Sequence, residues 1–171
     1  MKYVLQYSEI CDSTLGDFIS LIKQPDLGKP LNELLLRDLI INSVTNELIY
    51  PGNGVYFFSD KTKLIYVGKA SSKSFTERIG GHFDPRSRAW FNSLIKHKNF
   101  PNQKDDTVLE EQARYAYSTF RITLVNFDDV YAGLISKFEG LMRKSLNVIN
   151  QTKGRIDVNM FEEKLEDILS I

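Results

Sequence analysis

The chain has one cysteine, two histidines and one tryptophan in 171 residues, and its 22 Lys plus Arg are balanced by 22 Asp plus Glu. Each scarcity excludes something. A lone Cys11 forms no internal disulfide and has no second cysteine with which to hold zinc, which suits a reducing compartment. Two histidines and one cysteine leave no zinc-hydrolase pattern, and no Ser/His/Asp nucleophile elbow is present. No apolar run approaches the roughly 20 residues that span a bilayer. The start MKYVLQYSEI lacks the basic region and apolar block of a signal peptide, so a cytoplasmic protein with no membrane partner is expected. Lack of net charge, taken alone, argues against a nucleic-acid partner, because such proteins are usually basic.

What is present is an ordinary globular composition, 42% hydrophobic and 26% charged, enough for one compact domain with a sizeable core. The charge is unevenly placed. Residues 54–104 carry 10 basic against 3 acidic side chains, a net of +7, while residues 1–53 and 105–171 stand at −3 and −4. A basic stretch of this kind is either solvated surface or a phosphate-facing stripe.

Periodicity predicts a short strand over Lys2–Tyr7 and helices over Ser13–Lys23 and Leu31–Thr45, the second with Leu31, Leu35, Leu36, Leu39, Ile40 and Val44 on one face. Pro51-Gly52-Asn53 closes this region. Two β-branched and aromatic runs, Gly54–Phe58 and Leu64–Gly68, flank a polar turn and predict a hairpin. Centred on Lys61, it places Tyr56 opposite Tyr66 and Gly54 opposite Gly68, an arrangement also found in plain sheets. Helices are expected at Ser74–His82, Arg86–Lys98 and Val108–Tyr117, with Thr107 and Glu110 at the spacing of a capping box. A third strand follows at Phe120–Leu124, a helix from Asp129 to about Leu146, and a last short helix capped by Asn159. The expected class is α+β: a small antiparallel three-stranded sheet flanked by helices, divided into an N-terminal helical extension (1–53), a core (54–150) and a C-terminal helical tail packed on the core (151–171).

Gly54-Val55-Tyr56, followed ten residues later by Tyr66-Val67-Gly68, resembles the paired signature of the GIY-YIG nucleases, with Val for Ile in both halves. Downstream, Arg78-Ile79-Gly80-Gly81-His82-Phe83 has the spacing of that family's Arg/His helix. Glu139 and Asn150 stand where the family has a metal-binding Glu and a following Asn. The resemblance covers roughly residues 54–150. It implies a metal-dependent endonuclease acting on nucleic acid, most naturally double-stranded DNA, with Mg²⁺ or Mn²⁺ held by Glu139 and water and substrate oxygens completing the ion's shell. Tyr56 would orient or deprotonate the attacking water, with Lys69 and His82 as candidate helpers. Tyr66 belongs to the same catalytic set.

The chemistry of the residues fits beside the resemblance. A free tyrosine has a pKa of about 10 and needs cationic help to act as a base near neutrality. Arg78 can make two parallel hydrogen bonds to a phosphate, or be a surface arginine. Apolar Ile135, Phe138 and Met142 surround Glu139, which therefore lies beside a core-facing stripe and needs a partner, either a cation on the protein or a metal. The solvated side of that helix is expected to carry Ser136, Lys137, Arg143 and Lys144. Asn150 is a phosphate or Glu139-loop holder by resemblance and a turn residue otherwise.

Gly68, Lys69, Lys73, Arg86, Arg88, Lys96 and Lys98 are candidates to contact nucleic acid. The cations between Asp84 and Lys104 are expected to meet phosphates, and Trp90 and Phe91 to join the core. Val67-Gly68-Lys69-Ala70-Ser71 is not a P-loop, which needs Gly at 63 and Ser or Thr at 70 where the chain has Lys63 and Ala70. A double-strand break with one active site per chain takes two chains or two events, so a homodimer is compatible with this chemistry. The alternative is a nucleic-acid-binding or protein-interaction module that keeps the fold without turnover.

Overall fold

A computed structural model of the chain describes residues 1–61, 63–101, 108–154 and 156–171. Lys104 and Thr107, named above as a cation and a cap, lie outside the described residues. The class is α+β, but the sheet is larger than expected. Strands β1 (Val4–Gln6), β2 (Lys29–Pro30), β3 (Gly54–Asp60), β4 (Lys63–Ala70) and β5 (Arg121–Asn126) form one five-stranded mixed sheet in place of a three-stranded antiparallel one. β3 is central, antiparallel to β4 on one side and to β5 on the other. β1 runs parallel to β5, and β2 antiparallel to it, so the two share the far edge of β5. A two-residue strand beginning in Lys-Pro carries too little periodicity to be read from sequence.

The hairpin pairs Tyr56 with Gly68, Phe58 with Tyr66 and Gly54 with Ala70, two residues away from the expected register. The register shifts between Phe58 and Ser59, so that Ser59 faces Leu64 and Asp60 faces Lys63, and the strands run on into the segment expected as the turn. A two-residue shift preserves faces. Tyr56, Phe58 and Tyr66 therefore still share one side of the sheet, while Val55, Phe57 and Val67 face the other.

Each face carries its own core. Against Tyr56, Phe58 and Tyr66 pack helix α3 (Phe75–Ile79), the 84–101 loop through Leu94 and Ile95, and α4 (Leu109–Thr119) through Ala116. Against Val55, Phe57 and Val67 pack α2 (Leu15–Ile22), α5 (Ile135–Ser145) and α6 (Leu165–Ser170), with the short turn α1 (Tyr7–Ile10) at the margin. Thr14 caps α2 by accepting from the Asp17 amide. The backbone of Leu165 donates to Ser13 and that of Leu15 to Glu163, so the C-terminal tail is hydrogen-bonded to the N-terminal segment.

Three expected helical features are absent. Residues 31–45 form only two 3-10 turns, Leu31–Glu33 and Leu36–Leu39. The buried Asp38 carboxylate accepts from the Leu35 amide and pairs with Lys29 at 2.7 Å, which anchors the turn and leaves Leu35, Leu36, Ile40 and Val44 exposed. Arg86–Lys98 is a loop of turns in which the carbonyls of Arg86, Ser87 and Ala89 accept from side chains and no helical ladder runs through. α6 begins after Lys164 rather than at Asn159, and Asp157 caps the 3-10 turn before it. Among the described residues, no helix is long and apolar enough to cross a membrane.

Candidate active site

Among the described residues no strand pairs with the outer edge of β4, and the candidate residues gather around this edge. On the Tyr56 side, the phenol and the imidazole of His82 are fully buried, and the Tyr56 hydroxyl stands 2.5 Å from His82 Nε2. Gly68 makes this placement feasible, since a Cβ there would lie 2.4–2.5 Å from ring atoms of Tyr56. The space left by the missing side chain is thus filled by the ring opposite. His82 Nδ1 has no hydrogen-bond partner. Burial, aided by Arg78, pushes the His82 pKa down to about 3, so the ring is neutral near neutrality. Burial likewise raises the Tyr56 pKa far above the ordinary phenol value; Arg78 opposes this, and Tyr66 and Glu139 add to it. Both partners are neutral, so the pair is a hydrogen bond and not an ion pair.

Tyr66, on the same face, meets Ser93 Oγ at 3.1 Å and packs its ring 5.1 Å from that of His82. Arg78 projects from the end of α3, donates to the Phe91 carbonyl at 3.2 Å and lies 4.9 Å over the Phe91 ring. Lys73 stands over the same ring at 5.0 Å. Phe91, expected in the core, is instead a half-exposed platform for two cations. Gly81 admits it, because a Cβ there would come within 2.8 Å of Phe91 Cβ.

Across the strand edge, Lys69 follows the pleat to the α5 side. There its ammonium donates to Ser136 Oγ at 3.0 Å and lies 3.7 Å from Glu139. It meets these two groups and not the Tyr56 hydroxyl. Glu139 is 14% exposed and has a second cation, Arg143, at 3.4 Å. Ser136 and Arg143, expected on the solvated side of α5, therefore face the site. Their signal was available, since Arg143 is one helical turn beyond Glu139. Arg143 also donates through Nε to the Asn150 carbonyl at 2.9 Å.

Asn150 acts as a strand surrogate: its amide donates to the Val67 carbonyl at 2.6 Å and accepts from the Val67 amide at 3.2 Å. This pins the chain after α5 to the edge of β4 at mid-strand.

Two clefts meet at this edge. The first, about 260 Å³, is lined by Tyr66, Lys69, Lys73, Arg78, Phe91 and Glu139 among others. The second, about 480 Å³, includes Tyr66, Ser93, Lys98, Glu139, Arg143 and Asn150. Tyr66 and Glu139 belong to both. Three cations and one carboxylate line the first cleft, and Lys69 is already paired with that carboxylate, so its field is net positive.

Of the other expected nucleic-acid contacts, Arg86 is paired with Asp84, whose carboxyl it lowers to about 2. Lys96 donates to the carbonyls of Ser87 and Ala89 and so fastens its own loop. Arg88 and Lys73 are exposed. Trp90, expected in the core, is 90% exposed.

Among the described residues, no group of three or more His, Cys, Asp or Glu comes together. Glu139 is the one carboxylate at the clefts. Its oxygens stand 3.4 and 3.7 Å from their cations, long for charge-assisted hydrogen bonds, which leaves lone pairs for another ligand. Such a donor fits a hard ion carried mainly by waters and substrate oxygens, and does not make a closed protein cage. Compared with protein-family models, curated proteins and solved structures, the chain has no match.

Proposed function

We propose that the chain is a metal-dependent phosphodiester hydrolase of the GIY-YIG type, acting on DNA in the cytoplasm. The observation that carries this reading is the cleft at the edge of β4, where Arg78, Lys73 and Lys69 surround a space that also holds the half-buried Glu139. In hydrolysis a water oxygen forms a new bond to phosphorus as the bond to a sugar oxygen breaks, the proton given up by the water is returned through solvent to the leaving sugar oxygen, and charge grows on the phosphoryl oxygens. Arg78 would meet that charge; its position over the Phe91 ring and its bond to the Phe91 carbonyl restrain the guanidinium, which costs less to hold than a free side chain.

Tyr56 acts by orientation. Burial keeps its phenol protonated, and the hydrogen bond with His82 Nε2 fixes the hydroxyl; it lines neither cleft, so it orders the attacking water only once substrate binding admits water to it. Tyr66 and Ser93 supply further hydroxyls at the wall of the cleft. Lys69 and Arg143 hold Glu139 in place. A divalent Mg²⁺ or Mn²⁺ at Glu139 would supply Lewis-acid stabilisation of the scissile phosphate. A double-strand break would take two chains or two events.

The test is incubation of the purified protein with supercoiled plasmid in Mg²⁺ and in chelator. Metal-dependent nicking that is lost in Arg78→Ala supports the proposal; nicking that persists unchanged in that variant overturns it. The second reading, a nucleic-acid-binding or protein-interaction module without turnover, draws on the neutral, buried Tyr56 and on the two cations already beside Glu139. Salt-dependent DNA binding with no cleavage in any divalent metal would favour it.

A further inference from the structure

Trp90 is the single tryptophan of the chain and stands 90% exposed on the loop between α3 and α4. The loop beneath it is held by side chains. Asn92, itself buried, donates to the carbonyls of Asp84 and Arg86 at 2.7 and 3.0 Å. Lys96 donates to those of Ser87 and Ala89 at 2.5 and 3.1 Å. Asp84 grips Arg86 through its guanidinium and its backbone amide. Leu94 and Ile95 anchor the end of the segment in the core. A rigid support under a large, solvent-facing indole means that the exposure is built in, at the cost of leaving apolar area in water.

The surroundings say what the indole meets. Trp90 and Phe91 line one concavity with Arg86 and Arg88, and Phe91 also lines the cleft of Arg78, Lys73 and Glu139. The aromatic face is thus continuous with the phosphate-binding cleft and flanked by cations. A nucleic-acid strand has this alternation of phosphate and flat apolar base, and stacking on an aromatic side chain tolerates every base. In a continuous duplex both faces of each base are covered by neighbours. Only an unpaired base, as in a single strand, a fork or a loop, offers a free face.

We propose that Trp90 is a stacking platform for an unpaired nucleobase, so that the substrate class is a nucleic-acid strand with unpaired bases beside the scissile phosphate, in preference to uniform duplex. This rests on the nuclease proposal for the neighbouring cleft, and binding without metal separates the two.

Because the chain has one tryptophan, its fluorescence, excited beyond the absorption of the 8 tyrosines, reports on this site alone. In chelator, the protein is titrated with an oligothymidine, a forked duplex and a fully paired blunt duplex of equal phosphate count. Quenching by the oligothymidine and the fork, with little by the blunt duplex, is the expected result. With fluorescein-labelled fork read by anisotropy, Trp90→Ala should weaken binding about tenfold and Trp90→Phe much less. Equal quenching and affinity for blunt duplex and fork, or a Trp90→Ala affinity within twofold of the parent, would overturn the proposal. Absence of cleavage with the quenching pattern intact would overturn the nuclease proposal and leave this one standing.

Discussion

The Tyr56 hydroxyl lies 2.5 Å from His82 Nε2, and both side chains are fully buried. Such a pair ties stability to pH. In the fold His82 stays neutral down to about pH 3, whereas its ordinary value is 6.5. Between these values the unfolded chain binds the extra proton, so stability rises with pH and is lost on acidification. The slope contributed by one group is at most about 1.4 kcal/mol per pH unit. Urea denaturation between pH 7 and 5.5, where few carboxylates titrate, should show this fall, and His82→Gln should reduce it, leaving the part from His97, whose value burial also lowers. A pH-independent midpoint in the parent protein would show that the imidazole is hydrated.

Tyr56→Phe keeps the ring over Gly68 and removes only the hydroxyl. His82 Nε2 then has no partner, as Nδ1 already has none, and about 1–3 kcal/mol of stability should be lost. Single-turnover cleavage should fall by about 10²-fold or more if the phenol orders the water. Unchanged cleavage would assign the phenol to packing.

Three glycines with different surroundings form a series. A Cβ at Gly54 would lie 1.9 Å from the Val125 carbonyl oxygen at a φ of +155°, and one at Gly68 would strike the Tyr56 ring. Gly54→Ala should cost about 3 kcal/mol or more, and Gly68→Ala about 1–3 kcal/mol with Tyr56 displaced from His82. Gly80 has helical backbone angles and open space around its Cα, so Gly80→Ala should stabilise by about 0.4–1 kcal/mol. Chemical denaturation of the three variants tests the order.

The buried Asp38 stands 2.7 Å from Lys29, next to β2. Burial would raise its carboxyl pKa, but hydrogen bonds from Lys29 and the Leu35 amide hold it below the usual value. Asp38→Ala should cost about 3 kcal/mol, because Lys29 loses its partner; the double variant with Lys29→Met should recover part of this. Additive losses would mean that the two groups are independent.

Strong local patterns made the hairpin, α4, β5 and α5 legible in the sequence. The tripeptides around Tyr56 and Tyr66 also pointed to the right faces, because a two-residue error in register keeps the alternation. What was not legible depends on contacts between distant segments. Leu31–Thr45 has helical spacing, yet Asp38 and Lys29 hold it in 3-10 turns. Arg86–Lys98 mimics an amphipathic helix, but Asn92 and Lys96 take the loop carbonyls and turn Trp90 outward. β1 falls within the strand expected over Lys2–Tyr7, but its parallel pairing with β5 was not legible, and β2 is too short to show a period. At the site, the spacing of Arg78 and His82 showed that they share one turn. It did not show that His82 would be sealed under the sheet with Tyr56, or that Arg143 would share Glu139 with Lys69.

The most direct test of the proposed chemistry is single-turnover cleavage of supercoiled plasmid by Glu139→Gln across a Mg²⁺ titration, with melting recorded alongside. The substitution keeps the size of the side chain and removes the charge that Lys69, Arg143 and a divalent ion would share. A metal-dependent nuclease should lose about 10²-fold or more in rate while remaining folded. Cleavage by Glu139→Gln at the parent rate, with the same Mg²⁺ dependence, would contradict it.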